Sequence, residues 1–152
     1  MQKNKKKIRL VIDVNAWISL LLSPRFRVRL EVVFGEECDL LISDELFGEL
    51  DDAVRKPRLK RKIGQAVYEA LVAKLRTDAE LVDVHSVVDI CRDPEDNFLL
   101  ALAKDGNADY LITGDNDLLV LKEFGKTKIV TLTEFAAAWL SANLEHSKGT
   151  GQ

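Results

Sequence analysis

Acidic side chains recur at four well-separated places in the chain, each adjoining an apolar segment. They are Asp13, Glu49, the pair Asp93 and Asp96, and the pair Asp115 and Asp117. Asp13 comes directly after the apolar run 10–12, where an unpaired buried charge costs on the order of several kcal/mol. It needs a cation, a metal or hydrogen-bond donors, and no lysine or arginine follows it closely. We hypothesise that the fold gathers these carboxylates to hold a divalent metal ion.

The type of ligand indicates which metal such a cluster would hold. Carboxylates brought together repel one another strongly unless a cation neutralises them. Oxygen ligands favour Mg²⁺ or Mn²⁺ over zinc, which prefers nitrogen and sulfur. Mg²⁺ takes only one or two carboxylates directly and keeps several waters, an arrangement that suits a substrate with phosphate groups. The expected cofactor is therefore Mg²⁺ or Mn²⁺.

Each carboxylate also has an ordinary structural interpretation. Asp93 precedes a proline and suits a helix N-cap, and Asp96 would then lie in the first turn, where the helix dipole favours an acid by about 0.3–1 kcal/mol. Asp115 could form an Asx turn, and Glu49 could be a solvated helix residue. Asp13 is the hardest to explain in this way, because of the apolar run before it. The whole set therefore favours a metal site more strongly than any single member does.

Short apolar runs alternate with segments of helical periodicity. Strands are predicted at 8–12, 40–42, 81–84, 110–112 and 128–130, and helices at 15–22, 25–34, 44–55, 59–76, 93–106 and 118–123 and from 131 onward. Such alternation is typical of an α/β sandwich with a parallel sheet. Ligands bind beyond the carboxyl ends of such strands, and Asp13 and Asp115 follow two of them. We therefore expect carboxylates from distant parts of the chain to meet at one edge of the sheet.

Length and charge limit the classes of protein that fit. A chain of 152 residues, 47% hydrophobic and 31% charged, is expected to form a single domain over 1–146 with a disordered tail at 147–152. Its formal charge of −3 means that nucleic-acid binding would need a local basic patch. The segment 55–62 holds six basic residues in eight, and a solvated helix junction explains it equally well. The candidates for contacting RNA phosphates are Arg55, Lys56, Arg58, Lys60 and Arg61.

Cysteine usage and the N-terminal segment bear on the compartment. Cys38 and Cys91 form neither a CxxC pair nor a cysteine–histidine spacing. We expect reduced thiols in a cytoplasmic protein, and neither a disulfide framework nor a structural zinc site. The apolar run near the N-terminus ends at Asp13 and is too short for a signal peptide or a membrane span, so no membrane association is expected.

Four motifs occur in order along the chain. They are Val-Ile-Asp13-Val-Asn15; Ser43 with Glu49-Leu50; Asp93-Pro-Glu-Asp96-Asn97 followed by Leu99, Ala101 and Ala103; and Ala108-Asp109-Tyr-Leu-Ile-Thr113-Gly-Asp115-Asn-Asp117. Together they resemble the PIN-domain ribonucleases, most closely the branch of toxins from toxin–antitoxin systems, over nearly the whole chain. The resemblance implies a three-layer α/β/α sandwich with a central parallel sheet of five strands in the order 3-2-1-4-5.

The resemblance also implies roles for individual residues. The acidic site would be formed by Asp13, Glu49, Asp96 and Asp115, with Asp117 as a further acid. Asn15 and Thr113 match polar positions that support the site, and Asp93 matches an acidic position without an assigned role. The first motif of the family commonly reads Asp-Thr-Asn, and here Val14 replaces the threonine. This replacement removes a hydroxyl group but no metal ligand.

The function implied is that of a Mg²⁺- or Mn²⁺-dependent endoribonuclease, the toxin of a toxin–antitoxin pair. Its partners would be an RNA substrate, an antitoxin protein and a second copy of the chain in a homodimer. One or two metal ions would activate a water and stabilise the leaving oxygen during phosphodiester hydrolysis. The alternative is a PIN-like module that binds metal and RNA or a partner without cutting. A haloacid-dehalogenase-type phosphotransferase fits poorly, because Asn15 stands where that class has a second aspartate.

Overall fold

The computed structural model describes residues 6–25, 31 and 34–139. Within these residues a six-stranded sheet is formed by β1 (Ile8–Ile12), β2 (Cys38–Ile42), β3 (Glu80–Leu81), β4 (Tyr110–Ile112), β5 (Glu123–Phe124) and β6 (Thr127–Val130). The strand order is β3-β2-β1-β4-β6-β5. The first four of these neighbouring pairs are parallel, and β5 pairs with β6 in the antiparallel direction.

The predicted α/β sandwich and its strand order are confirmed, because β6 is the fifth strand of the predicted parallel sheet. The extra strand, β5, was not predicted. The helix expected over 118–123 is wrong in its second half, since the helix ends at Leu119 and Glu123 belongs to β5. Two positive φ angles, 64° at Lys122 and 58° at Gly125, turn the chain there into a short hairpin.

Helices follow most of the strands. They are α1 (Val14–Leu22), α2 (Asp44–Val54), α3 (Pro57–Ile63), α4 (Gln65–Asp78), α5 (Asn97–Asp105), α6 (Asn116–Leu119) and α7 over 132–139. The helix predicted at 59–76 is two helices, because Gly64 adopts a φ of +85° that ends α3. The helix predicted at 25–34 and the tail at 147–152 fall largely or wholly outside the described residues.

Side-chain caps start several helices at the positions that the sequence predicts. Ser43 Oγ accepts a hydrogen bond from the backbone N–H of Leu46 at 3.1 Å, at the start of α2. Thr131 and Glu134 form a reciprocal capping box before α7. Because α1 and α2 begin where β1 and β2 end, their first turns lie at the carboxyl edge of the sheet.

The centre of the sheet is the core of the molecule. Residues 10–12 of β1 are fully buried, as are Leu111 and Ile112 of β4 beside them. A strand buried on both faces is expected to read as a continuous apolar run, as β1 does. Trp17 of α1 and Leu100 of α5 pack into the same core. No helix in the described part of the chain is long and apolar enough to cross a membrane.

Candidate metal centre

Asp13 lies at the crevice between the two central strands. Its backbone N–H donates to the carbonyl of Ile112 at 3.0 Å, so it extends the pairing of β1 with β4. The chain places β2 on one side of β1 and β4 on the other, and ligands of open α/β sheets bind at such a switch point. The carboxylate is only 4% exposed. Its Oδ1 accepts from the N–H of Ala16 at 2.8 Å, and its Oδ2 accepts from the hydroxyl of Thr113.

Thr113 connects two of the predicted acids. Its side chain is 1% exposed, and its hydroxyl donates to Asp13 while accepting the backbone N–H of Asp115 at 3.0 Å. Asp115 in turn caps α6, since its Oδ1 accepts from the N–H of Asp117 at 2.9 Å. The ordinary structural interpretation of Asp115, an Asx turn, is therefore also correct. Thr113 therefore fixes where the segment after β4 stands relative to Asp13.

Asp96 reaches the same region from a short 3₁₀ turn, Pro94–Asp96, that precedes α5. The turn is capped by Asp93, whose Oδ1 accepts from the N–H of Glu95 at 3.1 Å, as the sequence predicted. One oxygen of Asp96, Oδ2, is buried without a hydrogen-bond partner among the residues that the structure describes. Burial and the neighbouring carboxylate of Asp115 raise the pKa of Asp96 to about 7. An orphaned carboxylate oxygen of this kind fits a group that is completed by a bound cation.

One pocket of about 380 Å³ brings most of the predicted residues together. The predicted residues that line it are Asp13, Asn15, Glu49, Asp96, Asp115 and Lys56. Five further residues line it that the sequence interpretation did not place there, among them Asp52 and Phe98. Glu49, Asp52 and Lys56 are spaced three and four residues apart, and this spacing places them on one face of α2 and its end. That spacing is the signal from which Asp52 could have been found.

Two of the predicted acids do not line this pocket. Asp93 and Asp117 form an adjoining group with Asp96, in which one oxygen of each lies within 4.8 Å of the others. Asp117 already has a cation, because the Nε of Arg92 lies 2.7 Å from its Oδ1. Fewer positive charges therefore neutralise the carboxylates of the pocket than those of the adjoining group. Asp96 belongs to both the pocket and the adjoining group.

The electrostatics of the pocket suit a hard divalent cation. Burial raises the pKa of Asp13, although the hydrogen bond from Thr113 opposes that shift. Burial and the nearby Glu45 raise the pKa of Glu49. Five carboxylates and one lysine line the pocket, and its lining holds neither histidine nor cysteine. An all-oxygen site with buried, uncompensated negative charge fits Mg²⁺ or Mn²⁺ better than zinc.

The predicted basic residues do not form one patch, because some of them line different pockets. Arg55 donates from Nε to Oδ2 of Asp51 at 2.8 Å. Arg55 and Lys60 both line a separate groove between α2, α3 and α4, together with Tyr68. Lys56, in contrast, lines the acidic pocket. Arg58 and Arg61 are exposed on α3.

Asn97 has a role that its place in a motif did not reveal. Its side-chain oxygen accepts the backbone N–H groups of Ile90, at 3.2 Å, and Cys91, at 2.9 Å. The residue is 9% exposed. It therefore anchors the end of the segment 82–91, which leads to the turn that carries Asp96.

Comparison with known proteins identifies the class. A model of the PIN domain family matches residues 9–117, which is more than half of the chain and contains every carboxylate of the acidic pocket and of the adjoining group. The chain belongs to the PIN domain family, whose members have a nuclease-type fold and are generally metal-dependent nucleases. It is also similar to the uncharacterized protein MJ1680 of Methanocaldococcus jannaschii. The two are 31% identical over 133 residues, covering 83% of this chain and 83% of that protein.

Proposed function

We propose that the protein is a Mg²⁺- or Mn²⁺-dependent endoribonuclease that hydrolyses RNA phosphodiester bonds in the acidic pocket. The observation that carries the proposal is the convergence of Asp13, Glu49, Asp96 and Asp115, from four separate segments, on one pocket. The unpartnered buried oxygen of Asp96 supports it. Membership of the PIN domain family supports the same class of chemistry.

We assign the metal ligands by position and burial. Asp13 and Asp96 are the primary ligands, and Asp115 and Glu49 complete the set directly or through water. The chemistry that a bound divalent cation supplies is activation of a water molecule and stabilisation of the leaving oxygen. Asp93 and Asp117 adjoin Asp96 and add negative charge that attracts the cation.

The remaining polar residues hold this set in place. The N–H of Ala16 and the hydroxyl of Thr113 keep the carboxylate of Asp13 at the crevice between the strands. Asn15 is the second residue of α1 and lines the pocket. Its side-chain amide can donate a hydrogen bond to a phosphate oxygen of the substrate. Supporting hydrogen bonds of this kind typically change metal affinity or activity by about 10- to 100-fold when they are removed.

A narrower proposal concerns the biological role. The sequence resemblance to the toxin branch supports a cytoplasmic toxin that acts as a homodimer and is restrained by an antitoxin protein. A neighbouring reading frame that encodes a small DNA-binding protein would support this role. Failure to co-purify with the product of such a frame, when the two are expressed together, would count against it.

The test of the catalytic proposal is mutational. Single-stranded RNA carrying a fluorophore and a quencher is incubated with the wild-type protein and Mn²⁺ or Mg²⁺. We expect Asp13→Asn and Asp96→Asn to lower the cleavage rate by at least about a hundredfold, because each removes a charged ligand. Asp78→Asn is the matched control, since Asp78 lies at the end of α4 in a surface pair with Lys74. Circular dichroism checks that each variant is folded.

Two outcomes would overturn the proposal. Unchanged cleavage in both Asp13→Asn and Asp96→Asn would remove the acidic pocket from the reaction. If the wild-type protein cuts no RNA with either metal, the endoribonuclease function fails. In that case the non-catalytic module, which binds metal and RNA or a partner, becomes the better interpretation.

A further inference from the structure

The surroundings of the acidic pocket are not electrostatically symmetrical. On one side a second pocket of about 370 Å³ adjoins it, and Phe98 lines both. The charged residues that line this second pocket are Asp44, Glu45 and Asp83, all of them acidic. An RNA strand that left the acidic pocket on this side would meet further negative charge, which repels its phosphates.

Lys56 stands beyond the opposite end of α2 from Asp44 and Glu45. It is the one basic residue among those that line the acidic pocket, and it stands at the junction of α2 and α3. Its side chain is exposed, and no ion pair holds its ammonium group within the described part of the chain. Three more basic residues, Arg58, Arg61 and Lys62, follow at exposed positions of α3.

The other basic residues of the segment 55–62 are not equivalent to Lys56. Arg55 is held by Asp51, and Tyr68 donates its hydroxyl to the same carboxylate at 3.0 Å. Lys60 lines the groove that contains this cluster and does not line the acidic pocket. The segment therefore presents one available cation to the carboxylates and turns two others towards a different groove.

A phosphate that approaches five carboxylates is repelled, and a cation at the rim reduces that repulsion. Lysine is a flexible point charge that suits the contact with a phosphate oxygen. We propose that Lys56 is a positioning residue that binds a phosphate next to the scissile one, so that the RNA strand runs from the acidic pocket over Lys56 onto the exposed basic side of α3. This proposal rests on the proposed RNA-cleaving function.

The first experiment measures RNA binding without cleavage. Lys56→Gln and Lys104→Gln are each introduced into the Asp13→Asn protein, and the anisotropy of a fluorescein-labelled single-stranded RNA is followed. Lys104 is the matched control, because it is exposed on the last turn of α5, at the end away from Asp96. We expect Lys56→Gln to weaken binding about tenfold and to reduce the slope of log K against log salt by about 0.7. Lys104→Gln should change neither the RNA affinity nor the salt slope. Lys56→Arg keeps the positive charge and should leave both close to those of the Asp13→Asn protein.

The second experiment measures kinetics in the otherwise wild-type protein. A phosphate held equally in the ground state and the transition state contributes to KM and leaves kcat unchanged. Lys56→Gln should therefore raise KM about tenfold at constant kcat, whereas substitution of a metal ligand lowers kcat. A purely structural role for Lys56 would not produce this separation.

The outcomes separate the two proposals. Equal RNA affinity in the Lys56→Gln and Lys104→Gln proteins, or an unchanged KM, overturns the role of Lys56 and leaves the nuclease function standing. If the wild-type protein does not cut RNA but Lys56→Gln alone weakens binding, the phosphate contact is supported and the nuclease function fails. If neither the Asp13→Asn protein nor the wild-type protein binds the labelled RNA, the phosphate contact is overturned as well.

Discussion

The two ends of the parallel strands differ in how their acidic side chains are partnered. At the amino end the acids lie next to a basic residue, whereas at the carboxyl end most of them lie next to other acids. Arg9 of β1 is the centre of the first arrangement. Its guanidinium lies 3.0 Å from Glu80, its Nε donates to the carbonyl of Gly106 at 2.8 Å, and its backbone N–H donates to Asp109 at 2.8 Å. Each of these contacts joins β1 to another part of the fold, so the charges at this edge stabilise the sheet.

At the carboxyl edge the donors are of a different kind. Asp13 is held by a backbone N–H and a hydroxyl, and Asp96 keeps an oxygen without a hydrogen-bond partner in the described part of the chain. Neutral donors orient a carboxylate but leave its charge uncompensated. Comparison of the edges therefore separates acids that maintain the fold from acids whose charge is left for the proposed metal ion, and this difference can be measured.

The largest expected effect is stabilisation by metal. Because a metal that binds the folded state raises stability by RT ln(1 + [L]/Kd), Mn²⁺ at a hundredfold excess over Kd should add about 2.7 kcal/mol. Differential scanning fluorimetry would show this as a higher Tm. Asp96→Asn should abolish most of the rise, while Asp78→Asn, on α4, should keep it. An equal rise in both variants would place metal binding elsewhere.

The next largest effect concerns the contacts of Arg9 at the amino end of the parallel strands. Arg9→Gln should lower the free energy of unfolding by roughly 2–3 kcal/mol, because it removes the guanidinium that pairs with Glu80 and leaves the carbonyl of Gly106 without its donor. Urea titration measures this change. Lys7→Gln is the control, because Lys7 is 48% exposed and 3.8 Å from Asp39, so its loss should cost less than about 0.5 kcal/mol. Similar losses in both variants would mean that Arg9 is an ordinary surface charge.

The third prediction concerns the stability that the carboxylate of Asp105 contributes at different pH values. The hydroxyl of Ser86 and the N–H groups of Ser86 and His85 hold the pKa of Asp105 at about 2, below its usual range, and the ring of His85 lies 3.5 Å away. A carboxyl group with a lowered folded-state pKa contributes stability that is present above pH 4 or so and is lost as the pH falls towards 2. Asp105→Asn should lower stability by about 2 kcal/mol at pH 7 and much less near pH 2.

The control for acid pH is Asp89→Asn, at an exposed position. It should follow the wild-type pH profile of Tm. A constant difference between wild type and Asp105→Asn from pH 2 to 7 would show that the ionised form of Asp105 adds nothing to stability.

The smallest effect has the opposite sign. In EDTA, Asp96→Asn should stabilise the protein by about 1 kcal/mol, because it removes a repelling charge and an unsatisfied carboxylate, and its amide can donate to Asp115. Asp93→Asn should be nearly neutral, since asparagine also caps helices well. Chemical denaturation at pH 7 compares the two. If Asp96→Asn is instead less stable than the wild type, the charge of Asp96 does not destabilise the metal-free protein.

Much of the fold could be read from local pattern. The continuous apolar run of β1, the caps at Ser43 and Asp93, and the capping box at Thr131 each depend on residues a few positions apart, and each is found where the sequence predicts it. The break at Gly64 and the hairpin at β5 were not predicted. They depend on backbone angles with positive φ, which short apolar and polar patterns do not encode clearly.

Sequence alone predicted which acids the fold brings together and the family to which the chain belongs, because residue types and their order along the chain define the family motifs. It could not separate Lys56 from Arg55, or Asp52 from Asp51, although each pair is adjacent in the chain. The direction of each side chain depends on the rotation of α2 and on where α3 and α4 pack against it. The link from Thr113 to Asp13 joins positions 100 residues apart, and such a contact exists only once β1 and β4 lie side by side.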